Sequence, residues 1–242
     1  MIQFFAPDIA DNTVLPPDES RHAVRVLRMQ PGQEVIVVDG CGFRYRCTMV
    51  DPHPDHALLA VRERIEVSNP WPCRITLAIA PTKHNDRMEW LVEKLVEIGI
   101  DRIVPLRCSH SERKEIKTER LRKIAVSAMK QSLKTRLPEI SEMMPIKNFL
   151  SEDFGTARKV VCYCDNNTER RELCRLYTGG DIVILIGPEG DFAPPEIDMA
   201  RERGFVPVTL GDQRLRTETA ALFAVTAVHV VGQISSGANS ND

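Results

Sequence analysis

The chain has 242 residues, 43% hydrophobic and 27% charged, and its 34 acidic and 32 basic residues leave a formal charge of −2. That balance excludes a disordered or fibrous chain, and the length accommodates one sizeable core plus a small accessory module. Taken alone, a near-neutral total argues against a nucleic-acid binder.

The first 68 residues read as β-rich with one helix. Phe4 to Pro7 ends a short strand, and Asp18-Glu-Ser20 offers capping oxygens to a helix with His22, Val26 and Met29 on one face. Glu34 to Val38 is an apolar strand, Asp39-Gly-Cys-Gly42 a hairpin turn, and Phe43 to Val50 and His56 to Ile65 two further strands. This predicts a small barrel over 1–68, of a size common among nucleic-acid-binding modules. Asn69-Pro-Trp-Pro72 cannot lie inside a helix or central strand and reads as the linker, 69–72.

From 73 to 242 the pattern alternates. Strands are expected at Arg74–Ala80, Asp101–Leu106, Lys159–Tyr163, Asp181–Ile186 and Phe205–Leu210. Helices are expected at Arg87–Ile98, Glu119–Leu133, Thr168–Tyr177, Pro194–Arg203 and Thr217–Val231, with Ser235 to Asp242 a frayed tail. Strands alternating with helices mean an α/β domain with a mainly parallel sheet, and Ile182-Val-Ile-Leu-Ile186 does not alternate because such strands are buried on both faces. The apolar runs Ile182–Gly187 and Ala220–Gly232 are shorter than the roughly 20 residues of a membrane-spanning helix, and the N-terminus has no signal-peptide pattern. No membrane partner is expected. Seven cysteines in a chain of this size predict reduced thiols and a cytoplasmic protein. No metal is expected either: His53 and His56 in Asp51-Pro-His-Pro-Asp-His56 read as loop residues, since a zinc site needs four convergent donors.

In an open α/β sheet, ligands bind beyond the carboxyl ends of the strands. Two charged, glycine-bearing loops qualify, Gly187-Pro-Glu-Gly-Asp-Phe192 and Leu210-Gly-Asp-Gln-Arg-Leu-Arg-Thr-Glu-Thr-Ala220. Neither the dinucleotide glycine pattern nor a phosphate loop is present. A nucleoside held by backbone groups and apolar side chains fits better, which points towards S-adenosylmethionine more than ATP or NAD. Charge is divided unevenly: residues 1–68 carry −3, 69–147 carry +6, and 148–242 carry −5. Arg107 to Arg136 alone holds ten basic against three acidic residues. This reads as a polyanion footprint, set against the plainer reading of a solvated helix face. Arg21, His22, Arg25 and Arg28 make one face of the first helix basic.

Arg21-His-Ala-Val-Arg-Val-Leu-Arg28, Gly32 and Val38-Asp-Gly40 resemble the opening of RsmE-type ribosomal RNA methyltransferases. Ile186-Gly-Pro-Glu-Gly190 and Leu215-Arg-Thr-Glu-Thr-Ala220 resemble that family's two most recognisable motifs. Lys94, Glu97-Ile-Gly99, Pro105, Gln131-Ser132 and Pro138-Glu-Ile140 match the intervening pattern, so the resemblance runs from about residue 2 to 232. There are two departures: the first is Lys130, where the family usually has Glu, and the second is Asp191, in place of the second of two paired glycines. Asp tolerates left-handed backbone better than most residues, so the loop can keep its shape.

The resemblance implies a C-terminal parallel α/β domain of the SPOUT class with a deep trefoil knot, a PUA-like N-terminal barrel, and a homodimer. It implies S-adenosylmethionine-dependent methylation of uridine N3 in 16S ribosomal RNA, free or in the assembled small subunit. The cofactor residues it implies are Ile186, Gly187, Pro188, Glu189, Gly190, Leu210, Gly211, Leu215, Arg216, Thr217 and Ala220. For the chemistry, Arg216 is expected to stabilise the developing anion, and Glu189 or Glu218 to accept the proton. Arg21, His22, Arg25, Arg28, Arg113, Gln131 and Arg136 are expected to meet the RNA. The competing readings are a non-catalytic RNA-binding or ribosome-assembly factor, which predicts no cofactor affinity, and a small-molecule enzyme, which leaves the basic block unexplained.

Overall fold

The computed structural model describes residues 2–164 and 170–238. The backbone divides into two units, the first made of Met1–Pro70 and Val126–Leu137, the second of Trp71–Ala125 and Pro138–Asp242.

In the first unit, β1 (Gln3–Phe5) precedes a short α1 (Pro17–Arg21), and β2 (Glu34–Val38), β3 (Phe43–Asp51) and β4 (Leu58–Glu66) follow. The sheet order is β1-β2-β3-β4, with β1 parallel to β2 and the other pairs antiparallel. A bridge from Val14 to Leu58 brings the chain back onto β4. The β2–β3 turn is tied by Asp39, whose Oδ1 accepts the amides of Cys41 at 2.7 Å and Phe43 at 3.1 Å. One sheet face packs Phe4, Val35, Val37, Tyr45, Cys47 and Met49 into a core.

The helix near residue 20 differs from expectation. It starts at Pro17, where a missing N–H costs nothing, and Ser20 is not its cap: its hydroxyl donates to the Leu15 carbonyl. The chain continues as a π-helical turn, His22–Val26, so the expected shared face does not form and Val26 is 68% exposed.

Residues 126–137 cluster with this unit because their polar groups are met there. Gln3 Nε2 donates to the Lys134 carbonyl at 2.6 Å, Arg44 to Leu133 at 3.3 Å, Gly42 N to Thr135 at 3.0 Å, and Arg136 to Cys41 at 2.9 Å. Lys130 Nζ sits 2.6 and 2.8 Å from the two Glu19 carboxylate oxygens. Ile36 and Val38, whose register places them beside Gln3 and Phe5 and away from the core face, are buried as well.

The second unit contains β5 (Ile75–Ile79), α2 (Asn85–Ile98), β6 (Arg102–Arg107), the start of α3 (Thr118–Gln131), β7 (Glu139–Ile140), β8 (Met144–Pro145) and α4 (Ile146–Leu150). It continues through β9 (Arg158–Cys162), β10 (Arg171–Glu172), α5 (Leu173–Leu176), β11 (Ile182–Ile186), α6 (Pro194–Glu202), β12 (Val206–Thr209) and α7 (Thr217–Ala238). Among the described residues every strand pair in this sheet is parallel, in the order β10-β12-β9-β11-β5-β6-β7, with β8 also on β6. The fold is therefore α/β with a parallel sheet. β5 and β11 are buried along their whole length, as central parallel strands should be.

The helix expected at Thr168–Tyr177 begins outside the described residues; the described part is β10 and the single turn α5. Half of the expected tail, 239–242, also lies outside them, and the other half is the end of α7, which extends to Ala238, well past Val231. By length and composition α7 is apolar enough to cross a membrane, contrary to the reading of 220–232 as too short. Its contacts with α2, β5 and β11 identify it as a helix of the core.

Candidate functional site

Parallel strands align their carboxyl ends along one edge of the second unit's sheet, and the loops after β5, β6, β9 and β11 are tied to one another there. The loop after β11 starts with Gly187 and Pro188, both buried, and Glu189 and Gly190, both exposed. A Cβ on Gly187 would stand 3.1 Å from the Phe192 ring, so a larger residue would have to push that ring back by a few tenths of an ångström. Asp191 adopts φ +60°, inside the left-handed region. Its Oδ1 accepts the Phe192 amide at 2.8 Å and its Oδ2 the Cys164 amide at 3.0 Å, so the carboxylate joins the loops after β11 and β9. The left-handed tolerance expected of Asp at this position is put to use.

Glu189 Oε1 accepts the Lys83 amide at 3.1 Å, which braces the loop after β5. That loop is held from its other side by Arg113, whose guanidinium donates to the carbonyls of Thr82 and Lys83. His110 Nδ1 lies 3.1 Å from the carbonyl oxygens of both Gly190 and Asp191; carbonyls only accept, so this nitrogen carries the proton. Buried Glu196 completes the clasp, accepting the Ser109 amide at 2.7 Å while its other oxygen accepts the Ala193 amide at the start of α6.

The second expected loop follows β12. Leu210 and Leu215 are half-buried, and Gly211 adopts φ +110°. Arg216 is exposed, and its carbonyl accepts the Ala220 amide in the first turn of α7. Thr217 and Glu218 are both buried at that helix start, and Glu218 Oε1 stands 3.7 Å from Arg87 Nε. Glu218 thus meets both a helix N-terminus and a guanidinium. Apolar side chains and backbone groups thus flank a glycine turn at the strand ends.

Sequence reasoning missed Lys83, Arg87, His110, Cys164 and Glu196. The signal was available, because β5, β6 and β9 were recognised as strands, and in a parallel sheet the loops that follow them must emerge beside those after β11 and β12.

The residues expected to meet RNA are distributed between the units. Arg21 pairs with Asp18 and Asp55, and the His22 ring lies 5.9 Å from that of Phe4. Arg25, Arg28 and Gln131 are exposed, and Arg136 is exposed while holding the Cys41 carbonyl. Arg113 alone falls in the second unit, engaged with backbone there. The basic block 107–136 is also partly paired: Arg120 with Glu89, Arg122 with Glu119 and Glu142, Lys130 with Glu19. Arg107, Lys114, Lys117 and Lys123 stay exposed. Among the described residues no group of three His, Cys, Asp or Glu side chains is placed to hold a metal ion, and His53 and His56 stack ring on ring at 3.4 Å.

Comparison with known proteins puts this architecture in context. The profile of an RNA methyltransferase domain matches residues 69–229, and that of an RNA methyltransferase PUA domain matches residues 15–61. A crystal structure of a probable rRNA-methyltransferase from Porphyromonas gingivalis is 44% identical, covers 97% of this chain and 99% of its own, and superposes with a TM-score of 0.92. Ribosomal RNA small subunit methyltransferase E from Neisseria gonorrhoeae, bound to S-adenosyl methionine, is 28% identical over 96% of this chain and 98% of its own, with a TM-score of 0.80. The enzyme of the same name from Bacillus subtilis is 27% identical over 224 residues, 87% of each chain. With the methyltransferase profile spanning most of its length and the PUA profile ahead of it, the chain belongs to the family of RNA methyltransferases that carry an N-terminal PUA domain.

Proposed function

We propose that the chain is an S-adenosylmethionine-dependent methyltransferase acting on N3 of a uridine in 16S ribosomal RNA. The observation that carries this reading is the braced edge of the parallel sheet. Gly187 and Pro188 head a loop held from the loops after β5, β6 and β9, and half-buried Leu210 and Leu215 flank the second glycine turn; this supports an apolar seat lined by the two loops. S-adenosylmethionine fits that donor set, having a nucleoside and no phosphate. When bound, it supplies an electrophilic methyl group on a sulfonium.

The chain's own residues then have to align a uracil and manage its N3 proton, whose departure leaves charge on O2 and O4. Arg216, exposed and without an ion-pair partner among the described residues, is free to face that charge. Glu218, paired with Arg87 at the start of α7, is one candidate proton acceptor. Glu189 is occupied with the Lys83 amide, which favours a bracing role.

The same reading takes 1–68, joined in the fold by 126–137, as the RNA-binding domain, 69–72 as linker and the remainder of 73–242 as the catalytic domain with the trefoil knot of the SPOUT class. It takes the protein as a cytoplasmic homodimer. Phe223, Val230 and Ile234 leave an apolar stripe exposed along α7, which supports a second copy there.

The test is Arg216→Ala. Methyl transfer to ribosomal RNA should vanish while calorimetric titration still detects the cofactor; unchanged turnover removes Arg216 from the mechanism. Mass mapping of the product RNA reads the position of the methyl group directly.

A further inference from the structure

The first unit carries a groove of about 720 Å³ that no step of the proposed reaction uses. Its apolar lining includes Ile2, Leu27, Met29 and Val35, and its polar lining is Gln33 and Glu34. Ile2, 51% exposed, presents an aliphatic side chain at the groove's rim.

The local backbone is shaped to build this groove. The Leu27 amide closes the π-helical turn on the His22 carbonyl at 3.1 Å, and the Met29 amide reaches the Ala23 carbonyl at 3.0 Å. Between them Arg28 is forced to φ +54°, a conformation that non-glycine residues seldom hold without a tertiary reason. Leu27 and Met29 thereby both line the groove, while Arg28 between them stays exposed, as does Arg25 one turn earlier. Gln33 spends its Oε1 on the Gln30 amide at 2.8 Å, which leaves its amide N–H groups to donate, and Glu34 supplies an exposed acceptor.

We infer that this groove is a subsite for one unpaired nucleotide of the RNA, distinct from the methylated uridine. The base lies against Ile2, Leu27 and Met29, its phosphates meet Arg25 and Arg28, and Glu34 accepts from an exocyclic amine. Flat apolar faces, a polar edge and flanking negative charge are the features of an unstacked nucleotide, and the aliphatic walls, donor–acceptor pair and two exposed arginines complement them. A carboxylate at the polar end favours cytosine, adenine or guanine over uracil, which has no amine.

The inference rests on the reading of the chain as an RNA methyltransferase, and its test separates the two. Full-length protein is titrated with three fluorescein-labelled decamers: oligocytidylate, oligouridylate and an abasic ribose-phosphate strand of equal charge. Oligocytidylate should bind about tenfold tighter than the abasic strand, a difference of about 1.4 kcal/mol, and tighter than oligouridylate. Glu34→Gln should erase the preference for cytidylate over uridylate, and Met29→Glu should bring oligocytidylate close to the abasic strand. Equal affinity for all three strands in the unaltered protein overturns the subsite, and so does a preference that Glu34→Gln leaves unchanged. A concentration-dependent increase in mass that Met29→Glu abolishes would assign the groove to a second copy and also overturn it. Methyl transfer to ribosomal RNA by the unaltered protein, measured alongside, reports on the proposed function independently of the decamers.

Discussion

Asp191 accepts the backbone amide of Cys164 at 3.0 Å while its own backbone sits at φ +60°, so one side chain joins the ends of two neighbouring parallel strands and tolerates the turn that makes this possible. Alanine at this position loses both carboxylate hydrogen bonds and must hold a left-handed conformation that costs it about 1–2 kcal/mol. Asp191→Ala should therefore weaken cofactor binding by an order of magnitude or more and lower Tm by several degrees. Asp191→Asn, which keeps one acceptor and tolerates the conformation but turns its NH2 towards the other backbone amide, should fall between the parent and Asp191→Ala. Cofactor titration and thermal melting of the two variants check this; indistinguishable variants would refute it.

Arg113 was expected among the RNA contacts, yet its guanidinium donates to the Thr82 and Lys83 carbonyls in the loop that Glu189 also braces. Arg113→Met should raise the cofactor Kd roughly tenfold, the loss of about one to two hydrogen bonds from a charged donor. It should leave the salt dependence of RNA binding unchanged. A drop of about 0.7–0.9 in the slope of log K against log salt would instead put a phosphate on Arg113.

Lys130, where the resembled family usually has glutamate, is not left without a partner: Glu19 faces it, and both side chains are largely shielded from water. Lys130→Met strands a mostly buried carboxylate and should destabilise the first unit by about 1–3 kcal/mol, less than a fully buried pair because some solvent remains. Exchanging the two charges, Glu19→Lys with Lys130→Glu, should recover most of that loss in urea denaturation. If the double variant is no more stable than either single one, the pairing contributes little.

Much of this protein was legible in order along the chain. β2, β5, β6, β11 and α2 were readable to within two residues because their signal is local: apolar runs of strand length, a 3.6-residue stripe, and Gly99 to stop the helix. The two glycine loops could be singled out because a parallel sheet presents its ligand at the carboxyl ends of its strands. Elements of two residues, such as β7, β8 and β10, carry no periodicity and were missed.

The sequence by itself determined the α/β alternation, the separation of a β-rich start from a parallel-sheet remainder, and the uneven distribution of charge hidden in a total of −2. Only the tertiary structure decided which strand ends are neighbours, since β11 lies between β9 and β5, partners far from it in the chain. It alone decided that 126–137 belongs with the N-terminal unit, through hydrogen bonds from Gln3, Gly42 and Arg44 across some 90–130 residues of sequence. The same holds for the basic block. How many of its charges face a polyanion depends on which find a carboxylate or a carbonyl first, and pairing across the fold is set by packing, which spacing along the chain does not encode.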